Sequence, residues 1–428
     1  MSHLGARMGA RLVFFLLVFG SAVLTGSLAV ASVGGAAAWA DLVPGNTAFA
    51  FDLYQKLQTG QENVFFSPYS VSLALAMTYA GARGETARGM EATLRFPLTQ
   101  ESLHGTFRQL AASLAGVAAP SAGEASGPVE LSIANALWGE ESVPFLESFV
   151  DLVSGAYGAG LRTVDFRGDP DGARATINRW VTEATREKIH DLLQPGSVTQ
   201  ATRLVVTNAV YFLGNWAQPF DPEATSIEPF RLLDGSFVGV PTMHQAHALG
   251  YARSEGLELV ELSYAGARLS LVVVLPEAGR FRDVEAGLTG ARFAELLARL
   301  EGREVVLSLP KFRVESEYSL AGALGALGMA DAFGPHADFS GMNGARDLFL
   351  SDVIHKAFVE VAEQGTEAAA ATAVVVLSAA VPSPIPPVEV RVDRPFLFAI
   401  RDRETGTLLF LGRVIDPTLD SEAAAPRD

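Results

Sequence analysis

No cysteine occurs in the 428 residues, which excludes disulfides, thiolate metal sites and a cysteine nucleophile. Positive charge is also short. The chain has 32 Lys+Arg against 48 Asp+Glu, a formal net charge of −16 with pI ≈ 4.9. So acidic a chain has no basic face for nucleic acid or an anionic membrane surface, and neither is expected as a partner. Catalytic signatures are missing as well: there is no G-x-S-x-G, no H-E-x-x-H, no phosphate-cradling G-x-x-x-x-G-K-[ST] and no dinucleotide G-x-G-x-x-G. Of seven histidines only His244 and His247 are close together, and an H-x-x-H without a nearby carboxylate is a poor metal signal. No metal and no cofactor is expected. What is present is a globular composition, 49% hydrophobic and 19% charged, in a chain long enough to be held by its core alone.

Arg7 and Arg11 precede an apolar run over residues 12–24, no further charge comes until Asp41, and Ala38-Trp39-Ala40 fits a small-residue cleavage pattern. Residues 1–40 are therefore expected to be a signal peptide. The alternative is a signal anchor, because residues 12–31 have about the length that spans a hydrocarbon core. The rest of the chain is expected to be secreted or extracytoplasmic, with membrane anchoring through this segment as the variant. Residues 41–418 read as one domain and residues 419–428 as a flexible tail.

No repeat at solenoid or propeller spacing is visible. Helical periodicity dominates the first half, with helices expected at residues 47–58 and 71–80. An Ala/Gly/Ser/Pro-rich stretch at 118–128 reads as a surface connection. Strands are expected at residues 204–212, 269–275, 304–309, 396–400 and 407–414, and a helix at 319–329 from the spacing of Leu320, Leu324 and Leu327. Helices first, then mixed elements, then strands, without βαβ alternation, make the chain α+β.

One segment fits no static element well. Residues 366–381 read TEAAAATAVVVLSAAV, with Glu367 the single charge, and prolines follow at 382, 384, 386 and 387. As a strand of period 2, one face carries Thr366, Ala368, Ala370, Thr372, Val374 and Val376 and could be buried. The other carries Glu367, Ala369, Ala371, Ala373 and Val375. Left exposed, such a segment is an aggregation hazard. Small residues make a poor permanent core strand, and the valine run disfavours a helix. A segment that is loop in one state and strand in another accounts for both features.

The segment 355–376, HKAFVEVAEQGTEAAAATAVVV, resembles the hinge and first part of the reactive loop of the serpin family. Four further blocks are similar to family blocks in the same order: NVFFSPYSVSLALAMTYAGARGET (63–86), TNAVYFLGNWAQPF (207–220), LPKFRVESEYSL (309–320) and DRPFLFAIRDRETGTLLFLGRV (393–414). The resemblance runs from about Gly45 to Pro417. It implies a single α+β domain with three β-sheets, about nine helices and an exposed reactive-centre loop held outside a five-stranded central sheet. It implies an inhibitor rather than an enzyme. A serine protease attacks the loop as substrate and forms a covalent acyl complex, and the cut loop enters the central sheet with the protease attached. The native fold is then metastable, and the inhibitor a monomer. The alternative on the same fold is a non-inhibitory exported binding or scaffold protein.

The resemblance also implies residue roles. Glu363, Gly365, Thr366, Glu367, Ala368, Ala369, Ala370, Ala371 and Thr372 match the hinge, where small side chains let the loop enter the sheet. Ser67, Ser70, Asn208 and His355 match the shutter under the sheet centre, and Trp216 matches the breach at its top. Counting from Glu363 places the reactive bond between Ala379 and Ala380. No Lys or Arg lies between Thr366 and Val390, so small apolar residues there suit elastase-like or subtilisin-like proteases over trypsin-like ones. Residues 100–115 hold only Arg108 as a fixed positive charge, so no heparin-type cofactor is expected.

Overall fold

Ser67 and Pro68 carry the signature of a helix start. Ser67 Oγ accepts from the Ser70 N–H, and Pro68 occupies the first turn, where no donor is required. The helix that follows, Pro68–Tyr79, is buried along all 12 residues, as an element enclosed on every side must be. In this computed structural model, which describes residues 38–116, 129–158, 160–366 and 386–419, it is the second of ten α-helical segments. These are α1 (Leu42–Leu57), α2 (Pro68–Tyr79), α3 (Gly84–Leu94), α4 (Gln100–Ala115), α5 (Glu147–Tyr157), α6 (Pro170–Ala184), α7 (Phe281–Gly287), α8 (Gly290–Leu297), α9 (Ala321–Leu324) and α10 (Ser340–Asn343).

The strands, numbered along the chain, form two hydrogen-bonded ladders. The first runs in the order β10 (Phe312–Ser319), β11 (Leu350–Ala362), β12 (Gly365–Thr366), β4 (Leu204–Asn215), β2 (Glu130–Glu140) and β3 (Leu161–Val164). The second runs β1 (Val64–Phe66), β15 (Leu408–Val414), β14 (Phe396–Asp402), β8 (Leu269–Pro276), β7 (Leu257–Ser263), β6 (Phe237–Ser254), β9 (Glu301–Pro310) and β13 (Val388–Arg391), with β5 (Ser226–Arg231) on the free side of β6. β6 is 18 residues long, pairing with β5 over its first part and β7 over its last. The β5–β6–β9–β13 group is therefore the third expected sheet, joined to the second through β6 and β9. α2 packs against β2 and β4 of the first sheet and β15 of the second.

A buried ion pair ties α1, α7 and β15 together in this core. Arg413 on β15 is fully buried and donates to Glu285 Oε1 on α7 at 2.7 Å, while the Tyr54 hydroxyl of α1 donates to the same oxygen at 2.6 Å. Arg413 also donates to the Gly60 and Glu62 carbonyls, so its charge is hydrogen-bonded as a buried guanidinium requires.

The expected strands are present with limits within three residues of those expected, four of them wider and β15 one residue shorter. Helix α1 begins already at Leu42 and α2 at Pro68. The helix expected at 319–329 is broken: α9 covers Ala321–Leu324, and in the wider turn at Gly325–Met329 the Gly328 φ is 125°, which ends regular helix. A leucine stripe reports the apolar face but not this interruption.

The feature that matters for function lies between β4 and β11. They pair directly and in parallel from Leu204/Leu350 to Tyr211/Phe358. Above that point they part, and β12 lies between them, Thr366 opposite both Val361 and Gly214, Gly365 opposite both Ala362 and Asn215. The expected five-stranded sheet thus carries the start of a sixth strand.

Candidate functional site: the hinge, breach and shutter of the first sheet

β11 turns back on itself through Glu363 and Gln364 to become β12. Gly365 is required there by close approach: a Cβ on it would lie 2.1 Å from the Gly214 carbonyl oxygen and 2.6 Å from Asn215 Cα. Thr366 follows with its side chain fully buried, its Oγ1 2.7 Å from the Tyr264 hydroxyl. Burial alone pushes that tyrosine upward, so it stays a neutral hydroxyl able to share this bond.

Trp216, at the end of β4, closes the same corner. Its indole N–H donates to the Ala362 carbonyl at 2.9 Å, its backbone N–H donates to the Gln364 carbonyl at 2.9 Å, and its ring stacks on Tyr264 with centroids 4.6 Å apart. The Phe220 N–H donates to the Glu363 carbonyl. The Glu363 carboxylate accepts from Lys311 Nζ at 2.8 Å and from Thr225 Oγ1 at 2.9 Å. Burial alone would raise its pKa, but these hydrogen bonds and the Lys311 charge outweigh it and hold the carboxyl below its usual value. The hinge turn is thereby fixed to β4, to the start of β10 and to the residues just before β5.

Farther down the same seam is a fully buried polar cluster. Asn208 on β4 faces His355 on β11 in the parallel register. The Ser67 N–H donates to His355 Nε2 at 3.1 Å, so Nε2 is unprotonated and Nδ1–H donates to Asn208 Oδ1. Asn208 Nδ2 reaches Ser70 Oγ and Asn135 Oδ1. Asn135 Nδ2 donates to the Ser70 carbonyl at 3.1 Å, and Ser67 Oγ donates to the Leu409 carbonyl at 2.7 Å. Five side chains from α2 and its cap, β2, β4 and β11 are mutually satisfied, which makes the sheet centre specific in register.

Burial lowers His355 to about 3, with the bond to Asn208 opposing it, and burial lowers His104, between α4 and α5, to about 4. An unfolded histidine titrates near 6.5. Both groups therefore contribute their full stability above about pH 6.5, and lose it as pH falls toward their folded values, because only the unfolded chain takes up the proton. The expected result is that nitrogen NMR of His355 still reports the neutral Nδ1–H tautomer at about pH 5. A titration midpoint near 6.5 would show that the cluster is open to water.

Sequence reasoning assigned Ser67, Ser70, Asn208 and His355 to the shutter, Glu363, Gly365 and Thr366 to the hinge and Trp216 to the breach; the first four lie in one cluster, and Trp216 lies against the hinge residues. Glu367, Ala368, Ala369, Ala370, Ala371 and Thr372 lie outside the described residues, as do Ala379 and Ala380, residues 1–37 of the proposed leader, the whole 118–128 connection and residues 420–428. Four participants went unassigned in the sequence. Asn135 is a lone amide in a strand otherwise buried toward its end, and that was a usable signal. Tyr264, Lys311 and Thr225 gave none, since their partners are far away in sequence.

The profile described as Serpin (serine protease inhibitor) matches residues 44–417. The chain belongs to the serpin family. It is 41% identical over 383 residues to the leukocyte elastase inhibitor of Sus scrofa, covering 87% of this chain and 98% of that one. It is 40% identical over 370 residues to an uncharacterized serpin-like protein of Thermococcus kodakarensis, covering 86% and 84%. Among solved structures it is similar to uncleaved ovalbumin (29% identity, TM-score 0.78, 88% of this chain and 100% of that one) and to the thermophilic serpin tengpin in the native state (29%, 0.78, 88% and 94%). As a serpin, the chain falls in a family described as serine protease inhibitors, and relatives such as the leukocyte elastase inhibitor are named as inhibitors.

Proposed function

We propose that this serpin inhibits elastase-like or subtilisin-like serine proteases by loop cleavage, covalent acyl-complex formation and insertion of the cut loop into the first sheet. The observation that carries the reading is Thr366, already seated between β4 and β11. Continuing its register past Thr366 brings Thr372 opposite the His355–Asn208 pair and Val376 opposite Leu204, the first residue of β4. The residues that alternate inward with Thr366 are Ala368, Ala370, Thr372, Val374 and Val376, none larger than valine. Glu367, Ala369 and Ala371 fall on the outer face. The available strand ends three residues before Ala379, which agrees with a reactive bond at Ala379–Ala380.

The magnitudes are adequate. Residues 367–376 would gain neighbours on both sides, and at ~0.5–1.5 kcal/mol per new hydrogen bond the total is roughly 10 kcal/mol or more. A protease domain is stable by only ~5–15 kcal/mol, so a tethered protease can be distorted by strand formation. The protein acts as a monomer, and the segment with Arg7, Arg11 and the apolar run supports export. The test is a denaturing gel of the protein incubated with pancreatic-type elastase and with subtilisin. An SDS-resistant band at the summed mass is expected. Complete cleavage with no such band would favour the non-inhibitory reading.

A further inference from the structure

The tip of the β6–β7 hairpin gathers arginines in a chain whose net charge is −16. Ser254 ends β6 and Leu257 opens β7, with only Glu255 and Gly256 between them. α8 packs beside this hairpin and buries Phe293 and Leu296. Thr289 Oγ1 caps the helix by accepting from the Arg292 N–H. The helical period then brings Arg292, Glu295 and, two residues beyond the helix end, Arg299 to one side.

Two guanidiniums from that side converge on one neutral oxygen. Arg292 Nη2 and Arg299 Nη1 each donate to Ser254 Oγ at 3.3 Å. With donors on both lone pairs the hydroxyl keeps its own proton to give, and no acceptor for it lies among the described residues. Arg280 stands at the same tip, where a Cβ on Gly256 would lie 2.9 Å from its Nη1. The carboxylates nearby leave this charge incompletely matched. Glu277 pairs with Arg253 at 3.6 Å and Glu295 with Arg292 at 3.3 Å. Arg280, Arg299 and the turn residue Glu255 make no ion pair among the described residues.

Like charges brought together on one hydroxyl repel. A tetrahedral oxyanion supplies the acceptors that these three donors lack, and guanidiniums hold such groups through short charge-assisted hydrogen bonds. We propose that the tip of the β6–β7 hairpin and α8 form a binding site for a single tetrahedral dianion, either free phosphate or a phosphate monoester. Arg292, Arg299 and the Ser254 hydroxyl hold it, with Arg280 at its edge. The site is open to solvent, since the Arg292 side chain is 38% exposed and Arg280 and Arg299 are exposed. Nothing in it depends on loop insertion.

The experiment is an NMR titration of the intact protein at constant ionic strength and about pH 8, where a phosphate group is doubly charged. The Glu255 and Gly256 amides are followed with inorganic phosphate, with phenyl phosphate and, as control, with chloride. A saturable shift is expected with phosphate and none with chloride. Phenyl phosphate binding at least as tightly assigns the site to a monoester, and binding of inorganic phosphate alone assigns it to the free ion. Arg292→Gln/Arg299→Gln should weaken binding at least about tenfold, and Ser254→Ala about threefold or more. Arg253→Gln should leave it nearly unchanged, because that guanidinium faces Glu277. Glu255→Gln should tighten it, because a carboxylate beside the anion is removed. An unsaturable response, one that chloride reproduces, or undiminished binding in the double variant overturns the site.

Discussion

Thr366→Arg is expected to turn the protein from a trap into a substrate. Thr366 has no exposed surface, and its hydroxyl is engaged by Tyr264. A guanidinium in its place would lose the Tyr264 hydroxyl contact and sit beside the rings that pack on Tyr264, those of Trp216 and Phe212. An unpaired buried charge costs several kcal/mol, ~3–5 where measured by breaking buried pairs, so β12 is expelled from the sheet. The rest of the fold does not depend on β12, because β4 and β11 already pair directly over Leu204–Tyr211 and Leu350–Phe358. The variant should therefore fold and still be recognised by the protease. The first step of insertion becomes uphill, deacylation overtakes it, and the moles of inhibitor consumed per mole of protease rise by at least about tenfold, the equivalent of ~1.4 kcal/mol in the partition. The check is titration of protease activity with intact and variant protein, alongside the gel. An unchanged stoichiometry would mean that entry of Thr366 is not on the path to inhibition.

Much of this was legible in the sequence, for reasons that can be stated residue by residue. The helix expected at 71–80 was legible because its apolar run is buried, although it starts three residues earlier, at Pro68 behind the Ser67 cap. The strands at 204–212 and 269–275 are legible because long buried runs of β-branched residues admit few alternatives. The alternation from Thr366 to Val376 marks a face that could be buried, and the inward side chain at Thr366 agrees with it. What could not be read was pairing. Nothing in the periodicity says that Thr366 already sits between β4 and β11, since register is fixed by distant partners. Gly365 is expected in the hinge as a small residue that lets the loop enter the sheet, and the structure gives it a second reason, the approach of the Gly214 carbonyl. Tyr264 and Lys311 act through Thr366 and Glu363, contacts of 102 and 52 residues' separation. Gly328 breaks a helix that its leucine stripe favours, because the stripe records which side is buried and not which φ the backbone takes.

The second large effect follows from the incomplete sheet. Below β12 the seam is closed by β4 pairing with β11, and the small-residue segment after Thr366 is covalently held at both ends. Cutting the loop frees one end. If roughly 10 kcal/mol is gained on insertion, and the unfolding entropy is about 2.1 cal/mol/K per residue over a domain of this length, the melting midpoint should rise by about 10 °C or more. The most direct test of the central claim, that this serpin stores its function as an unfilled strand position, is calorimetry of the same sample before and after limited proteolysis confined to the loop. The account predicts a cleaved form melting at least about 10 °C above the uncleaved one. Equal midpoints for the two forms would contradict it.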